Sequence, residues 1–332
     1  MDPVWIPSCT VGRMELESIF FYPIKSTAGH RVREAEVRPW GLAGDRRYLV
    51  VDERGEPMTA RDHPTMLDCL AEPDGDTIVL TGPHAAPLRV VPSTVRFTAD
   101  VWGTPVEVTD CGDDAAAWLA ALIGLPGRLA WLDDPTRRPV DPTFGAPGDL
   151  VNLADGFPLL LTSTASLARL DDWVAETAAE LGEELPKPLS MRRFRPSVVV
   201  AGADTPFAED TWERVRIGGV DFRVAKPCDR CVLTTVDPDA PHAKGKEPVR
   251  TLARHRRWDG RIWFGVNLIP DIPRIPGAPH TTDISDISDI SDNRSARIRE
   301  IPTIPDLREA HDPSEPAHWT GRIAQGDPVI VL

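Results

Sequence analysis

The chain has 332 residues, enough for about two domains with a sizeable core. Its 37 basic and 51 acidic residues give a net charge of −14, which argues against broad nucleic-acid binding, because that requires a surface dense in lysine and arginine. The 34 prolines argue against a fold of long helices. We therefore expect a protein that takes a small or cationic ligand and binds no nucleic acid.

The sequence shows no obvious targeting or membrane-spanning segment. No apolar run approaches the roughly 20 residues of a membrane helix, and the first residues lack the basic and apolar segments of a signal peptide. The five cysteines are odd in number and unevenly spaced, which is not the pattern of a disulfide scaffold. We expect a cytoplasmic protein with no membrane contact.

Short strands dominate the predicted elements. Strands are predicted at 14–22, 32–38, 48–51, 77–80, 88–91, 95–98 and 106–109, and again at 197–201, 214–217, 220–224, 232–236, 262–268 and 329–332. One helix follows Asp113-Asp114 and ends at Gly124, and a second begins near Ser163 or Thr164 and ends at Gly182. A short helix is predicted at about 247–257. This pattern predicts an α+β fold class, a barrel or sandwich with a few helices.

One segment, at about 270–317, differs in composition from the rest. It contains no aromatic residue, and isoleucine recurs at every third position in three blocks, which include an Ile-Ser-Asp repeat. A period of three is that of polyproline II. Two interpretations stay open: a low-complexity insertion, or an isoleucine-faced ribbon that lies on a groove or a partner.

The cysteine pair Cys228 and Cys231 is the most informative motif. Such a CxxC can be half of a zinc site, a redox dithiol, a pair of inert thiols, or a place where one thiolate holds a softer metal. A second zinc-ligand pair is missing, and a β-like run follows where a redox motif would open a helix. The nearby Lys226 and Arg230 would favour the thiolate of Cys231.

Basic residues precede several predicted strands. They are Lys25 with Ser26, Arg46, and the arginines at 192, 193 and 195. Each cluster alone could be an ordinary solvated strand end. The clusters taken together indicate a pocket for an anionic ligand. The chain has no GxGxxG before a helix, no GxxxxGK[ST], no HExxH and no GxSxG.

In this order, the motifs resemble those of the MOSC proteins, and most closely the mitochondrial amidoxime-reducing component and its bacterial YcbX-like relatives. The matching residues are 22–26 (YPIKS), 41–46 (GLAGDR), 155–158 (DGFP), 163–167 (STASL), 193–196 (RFRP), 207–212 (FAEDTW), 228–238, 264–265 and 326–329. The resemblance implies a MOSC N-terminal β-barrel domain at 13–135 and a MOSC domain at 150–332, the latter interrupted by the isoleucine-rich segment.

The resemblance also implies a molybdenum cofactor (Mo-molybdopterin), with Cys231 as the protein ligand to molybdenum. The residues that match the cofactor-binding positions are Lys25, Ser26, Arg46, Ser163, Thr164, Arg195, Asp229 and Arg230. Cys228 would lie beside Cys231 without binding the metal. Asp229 stands where relatives often carry serine, and it places a carboxylate beside an anionic cofactor unless only its backbone N–H is used. Ser197 replaces an asparagine.

The implied activity is the two-electron reduction of small N-oxygenated compounds, such as N-hydroxylated amidines. The chain shows no ferredoxin-like set of cysteines, so the electrons would come from a separate protein of the ferredoxin or flavin-reductase type. One alternative is a sulfur carrier or sulfurtransferase that uses a persulfide on Cys231. Another is a non-catalytic binding module that docks a partner through the isoleucine-rich segment.

Overall fold

A computed structural model of the chain describes residues 13–74, 77–83, 85–238, 240–272 and 321–332. From residue 273 onward, the isoleucine-rich segment lies outside the described residues, so neither interpretation of it is tested. The described part is α+β and rich in strands, which confirms the predicted fold class. No helix in that part is long and apolar enough to cross a membrane.

Most of the strands are short, as the prolines and turn residues predict. In chain order they are β1 Glu15–Phe21, β2 His30–Val32, β3 Glu34–Arg38, β4 Gly41–Leu42, β5 Tyr48–Val51, β6 Leu70–Asp74, β7 Thr77–Gly82, β8 Ala85–Val90, β9 Arg96–Asp100, β10 Pro105–Asp110, β11 Arg128–Trp131, β12 Leu159–Ser163, β13 Val198–Ala201, β14 Arg214–Ile217, β15 Val220–Asp229, β16 Val236–Asp237, β17 Ala240–Lys244, β18 Arg257–Trp258, β19 Arg261–Pro270, β20 Gly321–Ala324 and β21 Val329–Val331.

The largest sheet contains nine of these strands. Their order is β2–β1–β13–β12–β19–β15–β14–β21, and β18 pairs with β19. The pair β12–β13 is parallel, with Leu161 opposite Val198, and the long pair β15–β19 is antiparallel. One face of the sheet buries aliphatic side chains such as Leu161, Val198 and Leu268 completely. This core holds β15 and β19 in place, and β15 ends in the cysteine motif.

Two N-terminal strands pair with strands that lie far away in the sequence. In β1, Ile19 lies opposite Val198 of β13. In β3, Val37 lies opposite Gly321 of β20. The predicted domain limits, 13–135 and 150–332, remain a prediction, and the strand pairing crosses them.

The segment that follows β4 forms its own layers. The sheet β5–β11–β10–β9 and the sheet β6–β7–β8 adjoin helix α1, Gly112–Ile123. This helix buries Trp118 and Leu119 in a shared apolar cluster with Leu80, and it ends at Gly124 in the left-handed conformation. The first predicted helix is confirmed.

Helix α2, Thr164–Leu181, confirms the second predicted helix. Ser163 caps its beginning, and Gly182 ends it in the left-handed conformation. Its buried face includes Leu170 and Val174, which share a cluster with Phe264 of β19. The short helix α3, Val249–His255, lies within the predicted 247–257.

The strand predicted at 232–236 is wrong for most of its length. Val232–Thr235 is a turn of 3-10 helix, and only Val236 begins a strand. The Thr234 hydroxyl donates to the Cys231 carbonyl at 3.0 Å, and the Thr235 hydroxyl donates to the Val232 carbonyl at 2.8 Å. Threonines that satisfy carbonyls three residues back favour a tight turn over an extended chain.

Candidate active site

Two segments of the N-terminal half bring Lys25, Ser26 and Arg46 together. The Lys25 backbone N–H donates to the Tyr48 carbonyl at 2.8 Å, and the Arg46 N–H donates to the Tyr22 carbonyl at 2.7 Å. Lys25, Ser26 and Arg46 are buried, and all three line one cavity of about 140 Å³. These predicted site residues therefore share one cavity.

Arg195 enters the same cavity from the end of the 3-10 helix Met191–Phe194. Its guanidinium stacks on the Tyr22 ring at 4.3 Å, and Arg46 stacks on the same ring at 4.5 Å. Arg195 Nη1 donates to the Thr27 carbonyl at 2.7 Å, whereas the buried Nη2 has no partner among the described residues. Burial lowers the pKa of Arg195 to about 10. A buried donor without an acceptor is costly, so the site fits a ligand that brings one.

Backbone strain concentrates at this cavity. Ser26, Arg46 and Arg195 have φ values of 68°, 47° and 53°, in the left-handed region that residues with a Cβ rarely adopt. Such conformations persist where the surrounding structure enforces them, and they cluster at functional sites. Here the strain turns one hydroxyl and two guanidinium groups toward the same cavity.

The cysteine motif closes the cavity from the end of β15. Cys228, Asp229, Arg230 and Cys231 all line it. Arg230 Nη1 donates to Cys228 Sγ at 2.9 Å, and its Nη2 donates to the Phe194 carbonyl at 2.7 Å. Burial raises the pKa of the Cys228 thiol, while Cys231 is exposed. Cys231 is thus the accessible thiol of the pair.

Two irregularities in the pairing of β15 with β19 set the direction of this motif. The register shifts between Val224 and Lys226 and again between Pro227 and Asp229. Bulges of this kind bend a strand and redirect its side chains, and they are frequent next to active sites. Pro227, which has no N–H, lies at the second shift.

Asp229 directs its carboxylate toward cations of the protein. Its side chain pairs with Arg261 at 3.0 Å and with Lys226 at 3.6 Å. The negative charge that the sequence places beside an anionic ligand is therefore balanced locally. The sequence predicted that Lys226 would lie near the Cys231 thiol and favour its thiolate. In the structure the ammonium group of Lys226 pairs instead with the Asp229 carboxylate.

The structure does not bring Ser163 and Thr164 into the cavity, because neither is among the residues that line it. Ser163 Oγ accepts the Ser166 N–H at 3.1 Å and donates to the Glu209 carboxylate at 3.1 Å. Ser166 donates to the same carboxylate at 2.7 Å, and burial raises the pKa of Glu209. Ser163 thus serves as the cap of α2.

Among the further residues that line the cavity, Arg61, Asp155 and Asn267 carry polar side chains that the sequence had not assigned to the site. Asp155 forms an ion pair with Lys25, which holds the pKa of the Asp155 carboxyl well below its usual range. The DGFP motif was the available signal for Asp155. Arg61 and Asn267 stand alone in a turn and a strand, with no motif to mark them.

Comparison with known proteins identifies both halves of the chain. Residues 13–126 match the family described as "MOSC N-terminal beta barrel domain", and residues 149–278 match the "MOSC domain". The fold and site therefore define a protein with a MOSC N-terminal barrel followed by a MOSC domain.

Among curated proteins, the chain is 34% identical over 254 residues to mitochondrial amidoxime-reducing component 1 of Homo sapiens, covering 73% of this chain and 72% of that protein. It is 33% identical over 260 residues to the human mitochondrial amidoxime reducing component 2, with coverage of 73% and 72%. The Xenopus laevis component 1 is 32% identical over 261 residues, with coverage of 74% and 73%. The chain belongs to the MOSC family that includes the amidoxime-reducing components, which confirms the resemblance.

Proposed function

We propose that the chain is a molybdenum-cofactor-dependent reductase of N-hydroxylated compounds. The observation that carries this proposal is the single cavity shared by the accessible Cys231 thiol and a set of buried cations, one of which, Arg195, has an unpaired donor. A soft thiolate and a cluster of guanidinium and ammonium groups are the two kinds of donor that a metal-bearing phosphorylated pterin requires.

The residues of the cavity have distinct roles in this proposal. Cys231 holds the metal through its thiolate. Lys25, Ser26, Arg46 and Arg195 bind the phosphate, because these buried residues place their N–H and O–H groups along one cavity. Arg230 keeps the cysteine loop in place through Cys228 and the Phe194 carbonyl. Asp229 takes part through its backbone N–H, because its carboxylate is paired elsewhere.

When bound, the cofactor supplies the exchange of two electrons and one oxygen atom that these side chains cannot perform. In the overall reaction, the N–O bond of the substrate breaks, two electrons and two protons are taken up, and the oxygen leaves as water. The names of the relatives point to amidoximes as substrates. We propose a separate donor protein, of the ferredoxin or flavin-reductase type, as the source of the electrons.

The test combines metal analysis with turnover. The chain, expressed in cells that make the cofactor, should contain molybdenum and reduce benzamidoxime when an electron donor is supplied. Cys231→Ala should lose the metal and the activity while its circular dichroism and melting temperature stay close to those of the original chain. A protein without molybdenum that carries one extra sulfur atom on Cys231 would contradict the proposal and favour a sulfur carrier.

A further inference from the structure

A second and larger cavity, of about 670 Å³, adjoins the proposed cofactor site. The two cavities meet at Cys228, Cys231 and Asn267, which line both. Cavities that bind small molecules are typically about 300–1,000 Å³. The second cavity is therefore large enough for a substrate whose reactive group reaches Cys231.

Aromatic side chains form much of the wall of this cavity. Trp102 and Phe144 both line it, although 44% of Trp102 and 41% of Phe144 are exposed to solvent. Phe157 lines it as well, and its ring meets that of Phe144 edge to face, with centroids 5.8 Å apart. Large rings left exposed around a concave site are the usual lining for a flat apolar ligand.

Trp102 is held in this position by a strained turn. It occupies the tip of the hairpin between β9 and β10, where Val101 N–H donates to the Thr104 carbonyl at 2.8 Å. Its φ of 59° is followed by a φ of 82° at Gly103. Both positions of such a turn favour glycine or asparagine, so a tryptophan in the first one is costly. A bulky residue held at positive φ points to a function for its ring.

Cations fix the Trp102 ring next to the cofactor site. The Arg61 guanidinium lies over the ring at 4.7 Å and Lys25 Nζ at 5.3 Å. On the other part of the wall, Lys226 lies 4.8 Å from the Phe144 ring and 5.7 Å from the Phe157 ring. Each of these contacts favours the ring position seen in the structure.

We propose that the second cavity binds the planar aromatic body of an N-hydroxylated substrate, and that Trp102 determines the preference for aromatic over aliphatic substrates. This inference rests on the proposed function. An aryl ring that enters the cavity finds Trp102, Phe144 and Phe157 as partners, and its N–OH group can extend toward Cys231, where the two cavities meet. A short aliphatic substrate leaves these rings without a partner.

The test compares two substrates that carry the same reactive group, benzamidoxime and acetamidoxime. Trp102→Ala should raise the KM for benzamidoxime about tenfold, the effect expected when a ring loses a stacking partner and its apolar contact. The KM for acetamidoxime should change less than about twofold, and Trp102→Phe should restore most of the preference. Trp258→Ala is the matched control, since Trp258 is similarly exposed and lines neither cavity.

A binding measurement keeps this inference separate from the proposed function. Saturation-transfer NMR on the protein as purified, without reductant, should show contact with the aromatic protons of benzamidoxime, and Trp102→Ala should weaken that signal while Trp258→Ala retains it. If the original chain reduces neither substrate, the proposed function fails, and the NMR comparison still decides the inference. Equal changes for both substrates in Trp102→Ala, or an unchanged NMR signal, would overturn it.

Discussion

Aromatic stacking holds the cations of the proposed cofactor site close together. Tyr22 carries the guanidinium groups of both Arg46 and Arg195 on its ring, and burial raises the pKa of the Tyr22 hydroxyl. Arg46 also pairs with the buried Asp45, whereas no carboxylate forms an ion pair with Arg195 among the described residues. Arg195 therefore contributes positive charge that the protein itself does not neutralise.

We predict that Arg195→Met weakens retention of the cofactor about 10- to 100-fold, because a hydrogen bond to a charged group contributes about 1.5–3 kcal/mol. Molybdenum per chain, measured after extended dialysis, reports the loss. Arg216→Met serves as the control, since Arg216 lies on β14 and pairs with Asp221 outside the cavity. Equal molybdenum retention in the two variants would contradict the role of Arg195.

Seven of the nine residues that the motifs assigned to the site line one cavity, but the motifs could not show which way each side chain faces. Basic residues that recur before strands indicated a pocket for an anion, and the resemblance selected Lys25, Arg46 and Arg195 among them. The resemblance also assigned Ser163 to the ligand; a serine before a helix suits an anion, but it suits a helix cap equally well. Only packing distinguishes the two, and here Glu209 and Ser166 engage its hydroxyl.

At the scale of elements, β19 connects the core to the site. Its Phe264 ring stacks on Phe194 with centroids 3.9 Å apart, and Arg230 lies 5.5 Å from the Phe194 ring. The neighbouring Gly265 has a φ of 75°, and a Cβ there would lie 2.6 Å from the Leu161 carbonyl oxygen of β12. The close approach of β19 to β12 therefore requires glycine at this position.

Gly265→Ala should lower the free energy of unfolding by about 2–4 kcal/mol, the combined effect of a left-handed alanine and a backbone clash. Displacement of Phe264 should also reduce cofactor retention, because Phe194 supports Arg230. Gly219→Ala is the matched control: no atom lies within 4 Å of its added Cβ, and a change below about 0.5 kcal/mol is expected. Urea unfolding measures the free energy of unfolding of both variants. Equal stabilities of Gly265→Ala and Gly219→Ala would contradict the requirement for glycine at position 265.

The helices were predictable at this scale, whereas several strands were not. Capping residues and apolar spacing determine α1 and α2 locally, so both could be located. Gly41–Leu42 of β4 and Gly321–Ala324 of β20 were missed because strands this short become extended only through pairing with β3. For β20 the partner strand is distant in the chain, and local sequence carries little information about such a partner.

At the scale of the molecule, strands from the two family domains pair with each other in shared sheets. β1 forms part of the nine-stranded sheet beside β13, and β3 pairs with both β4 and β20. The apolar cluster of this sheet accordingly combines Leu16 and Ile19 with Val198 and Leu268. Composition and spacing carry no signal of this long-range pairing, and the domain limits 13–135 and 150–332, which the resemblance implies, stay a prediction.

We predict that residues 136–332 expressed alone will aggregate. Without β1, the apolar strand Val198–Ala201 exposes an unpaired edge to which other chains can add. Size-exclusion chromatography and thermal unfolding report the outcome. A chain that lacks only residues 1–12 retains every described strand and should behave as the full chain does. A monomeric fragment 136–332 with a cooperative melt would contradict the prediction.

The position of β1 also has a consequence for biosynthesis. The ribosome produces Glu15–Phe21 early, but Val198–Ala201, the strand that pairs with it on one side, emerges only after the intervening sheets and helices have been made. Until then, Leu16 and Ile19, which are fully buried in the finished protein, have no core to enter. Newly made chains thus expose an apolar, aggregation-prone N-terminal segment during translation. A holding chaperone that binds short apolar peptides would protect the chains from aggregation.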